Sequence, residues 1–238
     1  MFCKDKWLTE QIGKNVYQLK IYDSSKYDFI ESWNSFRKEH HLEDYIVFAK
    51  VNTNFENIFQ CLEDADFKMI DKNIKLEIKG SRLSRIYLLK DIEICFSEKK
   101  HQKAIQEIAK GSFLFSRFHI DPKINNNIAN KIKENWAKNY FCGARGDEMI
   151  VALIKNKPVG FLQLIIKEKE LLIDLIGVSQ LAQGNGIASS MIKFANNNFN
   201  RSYIEVGTQV RNLPSINLYK KLGFKLTSSN YVFHYHSK

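Results

Sequence analysis

The chain has 238 residues, 44% of them hydrophobic, and 36 Lys and Arg against 26 Asp and Glu give a formal net charge of +10. This is enough apolar material for one large or two small domains. No stretch approaches the ~20 apolar residues needed to cross a bilayer, and the basic residues are scattered among acids with no arginine-rich block, which argues against a dedicated nucleic-acid surface.

Residues 1–79 alternate strand and helix signals. Val16–Ile21 reads as a strand, Lys26–Lys38 as a helix, Tyr45–Val51 as a strand, Phe55–Asp64 as a helix and Asn73–Lys79 as a strand. Gly80–Ser84 reads as a linker. The expected division is a small α/β N-terminal domain over 1–84 and a second domain over 85–238. Met1–Trp7 lacks the charged-then-apolar layout of a secretory signal, so a cytoplasmic location is expected. Cys3, Cys61, Cys95 and Cys142 are widely spaced, with no Cys-x-x-Cys pair and no clustered histidine. Reduced thiols and no metal site are expected.

The second domain opens with an alternating strand, Ile92–Phe96, and a helix from about Lys100 to Lys110. Met149–Ile154 and Val159–Ile166 flank Lys155-Asn156-Lys157-Pro158 as a hairpin that runs into a strand at Leu171–Val178. After that strand comes the turn Ser179–Ala182, then Gln183-Gly184-Asn185-Gly186-Ile187-Ala188, then a helix-like segment from Ser189. Glycines permit close backbone approach, and a helix start offers unpaired N–H donors and partial positive charge, so this passage suits a pyrophosphate. No Gly-Lys-Ser/Thr follows, which excludes a nucleoside-triphosphatase loop. The position late in the chain, without repeated strand-helix-strand units, disfavours a dinucleotide fold.

A strand, Ser202–Gln209, precedes a short helix that Asn212 and Pro214 start and Gly223 stops. Gln183-x-x-Gly186-x-Ala188 followed by Asn212-x-x-Ser215-x-x-Leu218-Tyr219-x-x-Leu222-Gly223-Phe224 resembles the GNAT N-acetyltransferase superfamily over roughly residues 90–238. Ala188 departs from the glycine often found there, and a small residue suffices. The segments 116–122, 206–210 and 229–234, and more weakly 13–17, 47–51 and 67–71, resemble the TDP-fucosamine acetyltransferase group, which acetylates the 4-amino group of a dTDP-linked 4-amino-6-deoxy sugar.

The resemblance implies an α/β GNAT fold: a mixed, mostly antiparallel sheet with helices on both faces, here preceded by the small N-terminal domain. It implies acetyl-CoA as donor substrate and a nucleotide-linked amino sugar as acceptor, without metal, membrane or nucleic acid, and with a homodimer compatible. Backbone around Ile176, Gly177 and Val178 is expected to bind the pantetheine arm, with a strand bulge there opening the groove. Gln183, Gly184, Asn185, Gly186, Ile187, Ala188, Asn212 and Ser215 complete the coenzyme site.

Tyr219 is the expected proton donor to the departing thiolate, since a phenol with a pKa of about 10 stays protonated at neutral pH. Asp174, in phase with Ile176 and Val178 on an alternating strand, is the expected base, with His119 and His234 as alternatives. Arg117, His119, Asp121 and Gln209 are expected to recognise the acceptor. Two other readings stay open: acetylation of a protein or peptide amine, and a catalytically silent coenzyme A- or nucleic-acid-binding module.

Overall fold

The computed structural model describes residues 1–21, 26–83 and 91–237. These form two compact units, 1–74 with 228–238 and 75–227. The expected boundary at 84/85 lies outside the described residues. Gly80 is no loose linker: its N–H donates to the Ser202 carbonyl (3.0 Å), and its own carbonyl accepts from Asn196 Nδ2 (3.1 Å).

The first unit contains β1 (Phe2–Lys4), α1 (Lys6–Ile12), β2 (Asn15–Leu19), α2 (Lys26–Glu39), β3 (Tyr45–Asn52), α3 (Glu56–Asp64) and the first half of β4 (Lys68–Lys79). Two of these, β1 and α1, escaped the sequence reading. The signals for α1 were present: Asp5 caps it by accepting from the Leu8 N–H (2.9 Å), and Gly13 ends it at φ 79°. Strand β2 pairs antiparallel with β1 and parallel with β3. Tyr17, Tyr45 and Val47 from the sheet pack with Trp33 and Phe36 of α2 and Leu62 of α3. Burying each such large apolar side chain stabilises by about 1.5–3 kcal/mol, which lets a unit this small hold together.

The second unit begins with the rest of β4 and continues through β5 (Glu93–Phe96), α4 (Gln102–Ser112), α5 (Arg117–Ile120), α6 (Asn126–Phe141), β6 (Glu148–Ile154), β7 (Lys157–Ile166) and β8 (Glu170–Val178). Then come α7 (Ile187–Phe199), β9 (Tyr203–Gln209), α8 (Leu213–Leu222) and the first residues of β10 (Lys225–His236), whose residues from 228 on belong to the first unit and pair there with β3. The Asn125–Asn127 run is the start of α6, with the Asn125 side chain accepting from the Asn127 N–H (2.8 Å). Strands β5 to β8 are antiparallel neighbours, whereas β8 and β9 are parallel, giving the mixed sheet expected. Lys155 and Asn156, both at positive φ, make the two-residue turn between β6 and β7.

Helices cover both faces. Ile105, Ile108 and Ala109 of α4 and Ala137 of α6 pack on Met149, Val151, Phe161 and Leu175. On the other face α7 buries Ile187, Met191 and Ile192. A Cβ at Gly160 would come within 3.2 Å of both Ile187 and Met191, so the missing side chain is what lets α7 lie close to β7. Among the described residues no helix is long and apolar enough to cross a membrane, and all four cysteines are free.

Candidate functional site

The parallel pairing of β8 with β9 runs from Glu170 opposite Tyr203 to Ile173 opposite Val206. Beyond that point β8 continues to Val178 and β9 to Gln209, and the two strands part. Ile176, Gly177 and Val178 lie on the free stretch, still bonded to β7 on the other side. One edge of their backbone is therefore available to a ligand that enters between the strands.

The bulge falls earlier than expected. Gln163 pairs with Leu175 while Leu164 pairs with Ile173, which leaves Asp174 as the extra residue. A bulge breaks the alternation of side chains, and the phase expected for Asp174 does not hold. Asp174 turns toward α6, on the same side as Leu175, which packs with α4 and α6. Its Oδ2 accepts from Arg145 Nε (2.7 Å), Trp136 Nε1 (3.1 Å) and Gln163 Nε2 (3.0 Å), and its Oδ1 accepts from an Arg145 terminal nitrogen (2.5 Å). Only 5% of the side chain is exposed. Both oxygens are committed to neighbouring donors, an arrangement that anchors a carboxylate and leaves it poorly placed to accept a proton from substrate.

After β8 the chain makes a 3-10 turn over Gln180–Ala182 and reaches Gly184 and Gly186 at φ 82° and 77°, backbone conformations that a side chain would strain. Gln183 Nε2 donates to the Val178 carbonyl (3.0 Å) and ties the turn to the end of β8. Gly186 caps α7, and its carbonyl accepts from the Ser190 N–H (3.0 Å), the first bond of the helix. Among the described residues no acceptor is found for the backbone N–H groups from Gly184 to Ser189. A row of unpaired donors at a helix start, close to the end of an opened strand pair, fits a diphosphate bound by backbone alone.

Helix α8 follows β9 closely. The Gln209 carbonyl accepts from the Asn212 N–H (3.0 Å), Asn212 Oδ1 caps the helix through the Ser215 N–H (3.2 Å), and Gly223 ends it at φ 92°. Asn212 and Ser215 are thus occupied in starting α8. Tyr219 is 2% exposed and lies against the Phe224 ring, with centroids 5.4 Å apart. Burial alone pushes its phenol above the ordinary value, so the hydroxyl is firmly protonated at neutral pH.

Of the other expected residues, Arg117 and His119 lie on α5 and Asp121 caps its C-terminus, whereas Gln209 ends β9 and His234 lies on β10. His119 Nε2 bonds Asn130 Oδ1 (2.9 Å), and its Nδ1 bonds Ser116 Oγ (2.6 Å). Because Asn130 presents an acceptor, Nε2 carries the proton and Nδ1 accepts from the serine hydroxyl. Burial lowers the His119 pKa, favouring this neutral form. Asp121 Oδ1 accepts from the Lys123 N–H (2.9 Å), as an Asp-Pro turn requires, and the Arg117 guanidinium lies 4.7 Å from the Phe118 ring centroid. Sequence reasoning missed Trp136, Arg145 and Gln163, which sit on three separate segments and carry no local motif. Asn130 and Ser116 escaped for the same reason.

A mixed sheet whose parallel neighbours separate beside a glycine turn and a helix start has the architecture of an acyl-transferring α/β protein. The chain belongs to the acetyltransferase (GNAT) family, whose model matches residues 105–224, from α4 to just past α8. Members of this family take their acetyl group from acetyl-CoA.

The spore coat polysaccharide biosynthesis protein SpsD of Bacillus subtilis (strain 168) is 32% identical over 136 residues, which cover 56% of this chain and 46% of that protein. The chain thus spans less than half the length of that relative. Among solved structures, a functionally unknown conserved protein from Staphylococcus epidermidis ATCC 12228 superposes with a TM-score of 0.71 at 14% identity, covering 97% of this chain and 89% of the other. A GCN5-related N-acetyltransferase from Sphaerobacter thermophilus superposes at 0.67 and 10% identity, covering 100% and 76%. At these identities the likeness concerns the fold.

Proposed function

We propose that the protein is an acetyl-CoA-dependent N-acetyltransferase acting on the amino group of a nucleotide-linked amino-deoxy sugar of the dTDP-4-amino-4,6-dideoxyhexose type. The observation that carries this reading is the parting of β8 and β9 beyond Ile173 and Val206, with the unpaired N–H groups of Gly184 to Ser189 close by. Family membership supports the donor, and the SpsD relative, named for polysaccharide biosynthesis, supports a sugar-related acceptor. The scattered excess of 36 basic over 26 acidic residues suits two polyanionic substrates.

Transfer is direct. The neutral amine attacks the thioester carbonyl, the carbon–sulfur bond breaks, and the products are an acetamide and the free thiol. Backbone at Ile176 to Val178 lines the groove for the pantetheine arm and polarises the carbonyl as charge develops. Tyr219 donates to the departing sulfur. A thiol titrates near 8.5, below a buried phenol, so complete transfer from Tyr219 alone runs uphill. The hydroxyl therefore stabilises the thiolate through a hydrogen bond, and the amine just acylated supplies the net proton. Arg117, His119, Asp121 and Gln209 recognise the acceptor.

The test is mass spectrometry of reactions containing acetyl-CoA and a panel of nucleotide-linked amino sugars. Acetylation of a 4-amino-6-deoxy sugar nucleotide in preference to the 2-amino sugars is expected. Acetylation of peptide amines alone would replace the proposed acceptor.

A further inference from the structure

Asp174 is an acidic side chain inside a sheet, and a buried carboxylate persists only where it is paired and hydrogen-bonded. Here it is the bulged residue of β8, and it stands immediately after Ile173, the last residue of β8 that pairs with β9. The strand therefore changes its register against β7 at the same point where it leaves β9. Three elements grip the carboxylate there: Trp136 from α6, Gln163 from β7, and Arg145 from the segment between α6 and β6.

The grip combines charge with an aromatic neighbour. Arg145 meets both carboxylate oxygens in a fork while its Cζ lies 4.8 Å from the Trp136 ring centroid, so the guanidinium is held by charge and by an aromatic neighbour together. The segment carrying it has Gly143 at φ 67° and Gly146 at φ 87°. A Cβ at Gly146 would lie 2.9 Å from Gln163 Cγ, so this glycine is what brings the Arg145 segment onto β7. Gln163 is fully buried, with Nε2 on Asp174.

We propose that the Arg145–Asp174 ion pair is a positioning device: it holds the bulge in β8 and thereby sets the opening between β8 and β9 that receives the pantetheine arm of coenzyme A. This rests on the coenzyme A part of the proposed function and is independent of the acceptor. Asp174 and Arg145 touch no reacting atom in this account; they act through the backbone of Ile176 to Val178. The nucleotide end of coenzyme A is held elsewhere, by the Gly184–Ser189 turn, which contributes no residue to the ion pair. Disturbing the pair should therefore weaken one end of the ligand and spare the other.

The experiment is calorimetric titration of wild type and Arg145→Ala with two probes, acetyl-CoA and adenosine 3′,5′-bisphosphate, which is the nucleotide end without the arm. In Arg145→Ala the acetyl-CoA affinity should fall about tenfold or more, a loss of about 1.4 kcal/mol, while the bisphosphate affinity stays within twofold. Arg145→Lys, which keeps charge without the fork, should fall between. If Arg145→Ala does not fold, Trp136→Phe keeps a ring and removes one N–H from Asp174, and should show the same split at smaller size. Affinities for both probes unchanged from wild type in the folded variant, or equal losses for both, would overturn the positioning role while leaving the transferase reading standing. A wild type that binds neither probe would remove both.

Discussion

Arg145 grips Asp174 through two nitrogens, at 2.7 and 2.5 Å, and Asp174 is the residue at which β8 leaves register with β7. An ion pair between side chains 29 positions apart in the chain thus sits at the point where the putting-together of the sheet changes. In the proposed reaction the strand geometry, the glycine turn and the buried phenol of Tyr219 have separate roles, and each can be tested alone.

The glycine turn is tested by Gly186→Pro. Proline removes an N–H from the donor row and fixes φ near −65°, where Gly186 needs 77°. Calorimetric binding of acetyl-CoA should be lost in a folded variant. Gly186→Asn, which tolerates the left-handed region, should retain most of it. Unchanged affinity in the proline variant would take the turn out of the site.

Tyr219→Phe keeps the buried ring beside Phe224 and deletes the hydroxyl. Fold and acetyl-CoA affinity should survive, and turnover should fall by about 10²–10³-fold, the range for losing one hydrogen-bond donor to charge that develops in the transition state. The loss should appear mainly in kcat, because the hydroxyl is needed as the thiolate departs. Near wild-type turnover would make Tyr219 a packing residue.

Two histidines link stability to pH. Burial lowers the pKa of both His101 and His119, and each uses Nδ1 as an acceptor, from the Glu98 N–H (3.0 Å) and the Ser116 hydroxyl (2.6 Å). The unfolded chain binds protons near the ordinary value of about 6.5, the folded one only at lower pH. Between those values the unfolded state holds more protons, so stability rises with pH. The contribution is complete above about 6.5 and is lost on acidification through the lowered folded pKa. Thermal melts between pH 7.5 and about 5 should show this loss, and His119→Asn should flatten part of the slope. An identical slope in the variant would remove His119 as a contributor.

The basic charge is assigned to small phosphorylated substrates. Binding to duplex DNA should be weak and vanish by about physiological salt, as unspecific counterion release dictates. Sequence-selective binding at that salt, seen in a fluorescence anisotropy titration, would support a nucleic-acid-binding module instead.

Much of the second unit was legible because its signals are local. Asn212 and Gly223 cap α8 where a short helix was expected, and Gly184 and Gly186 lie in the turn expected between β8 and the following helix, where the structure adds that both are left-handed. The bulge was not legible, since it is a property of the register between β7 and β8 and leaves no mark in the pattern Leu171–Val178. Its misplacement by a few residues carried Asp174 to the wrong face of the strand. The partners of Asp174 and His119 were equally hidden, because tertiary structure alone brings Trp136, Arg145 and Gln163, or Ser116 and Asn130, to one place.

The central claim is that an acetyl group passes from acetyl-CoA to the nitrogen of a nucleotide-linked amino sugar. Isotope-labelled acetyl-CoA with dTDP-4-amino-4,6-dideoxygalactose, followed by NMR of the product, measures this directly. Label is expected in an amide on the 4-amino nitrogen, formed with stoichiometric free coenzyme A. Label found only in free acetate, or only on peptide amines supplied in competition, would contradict it.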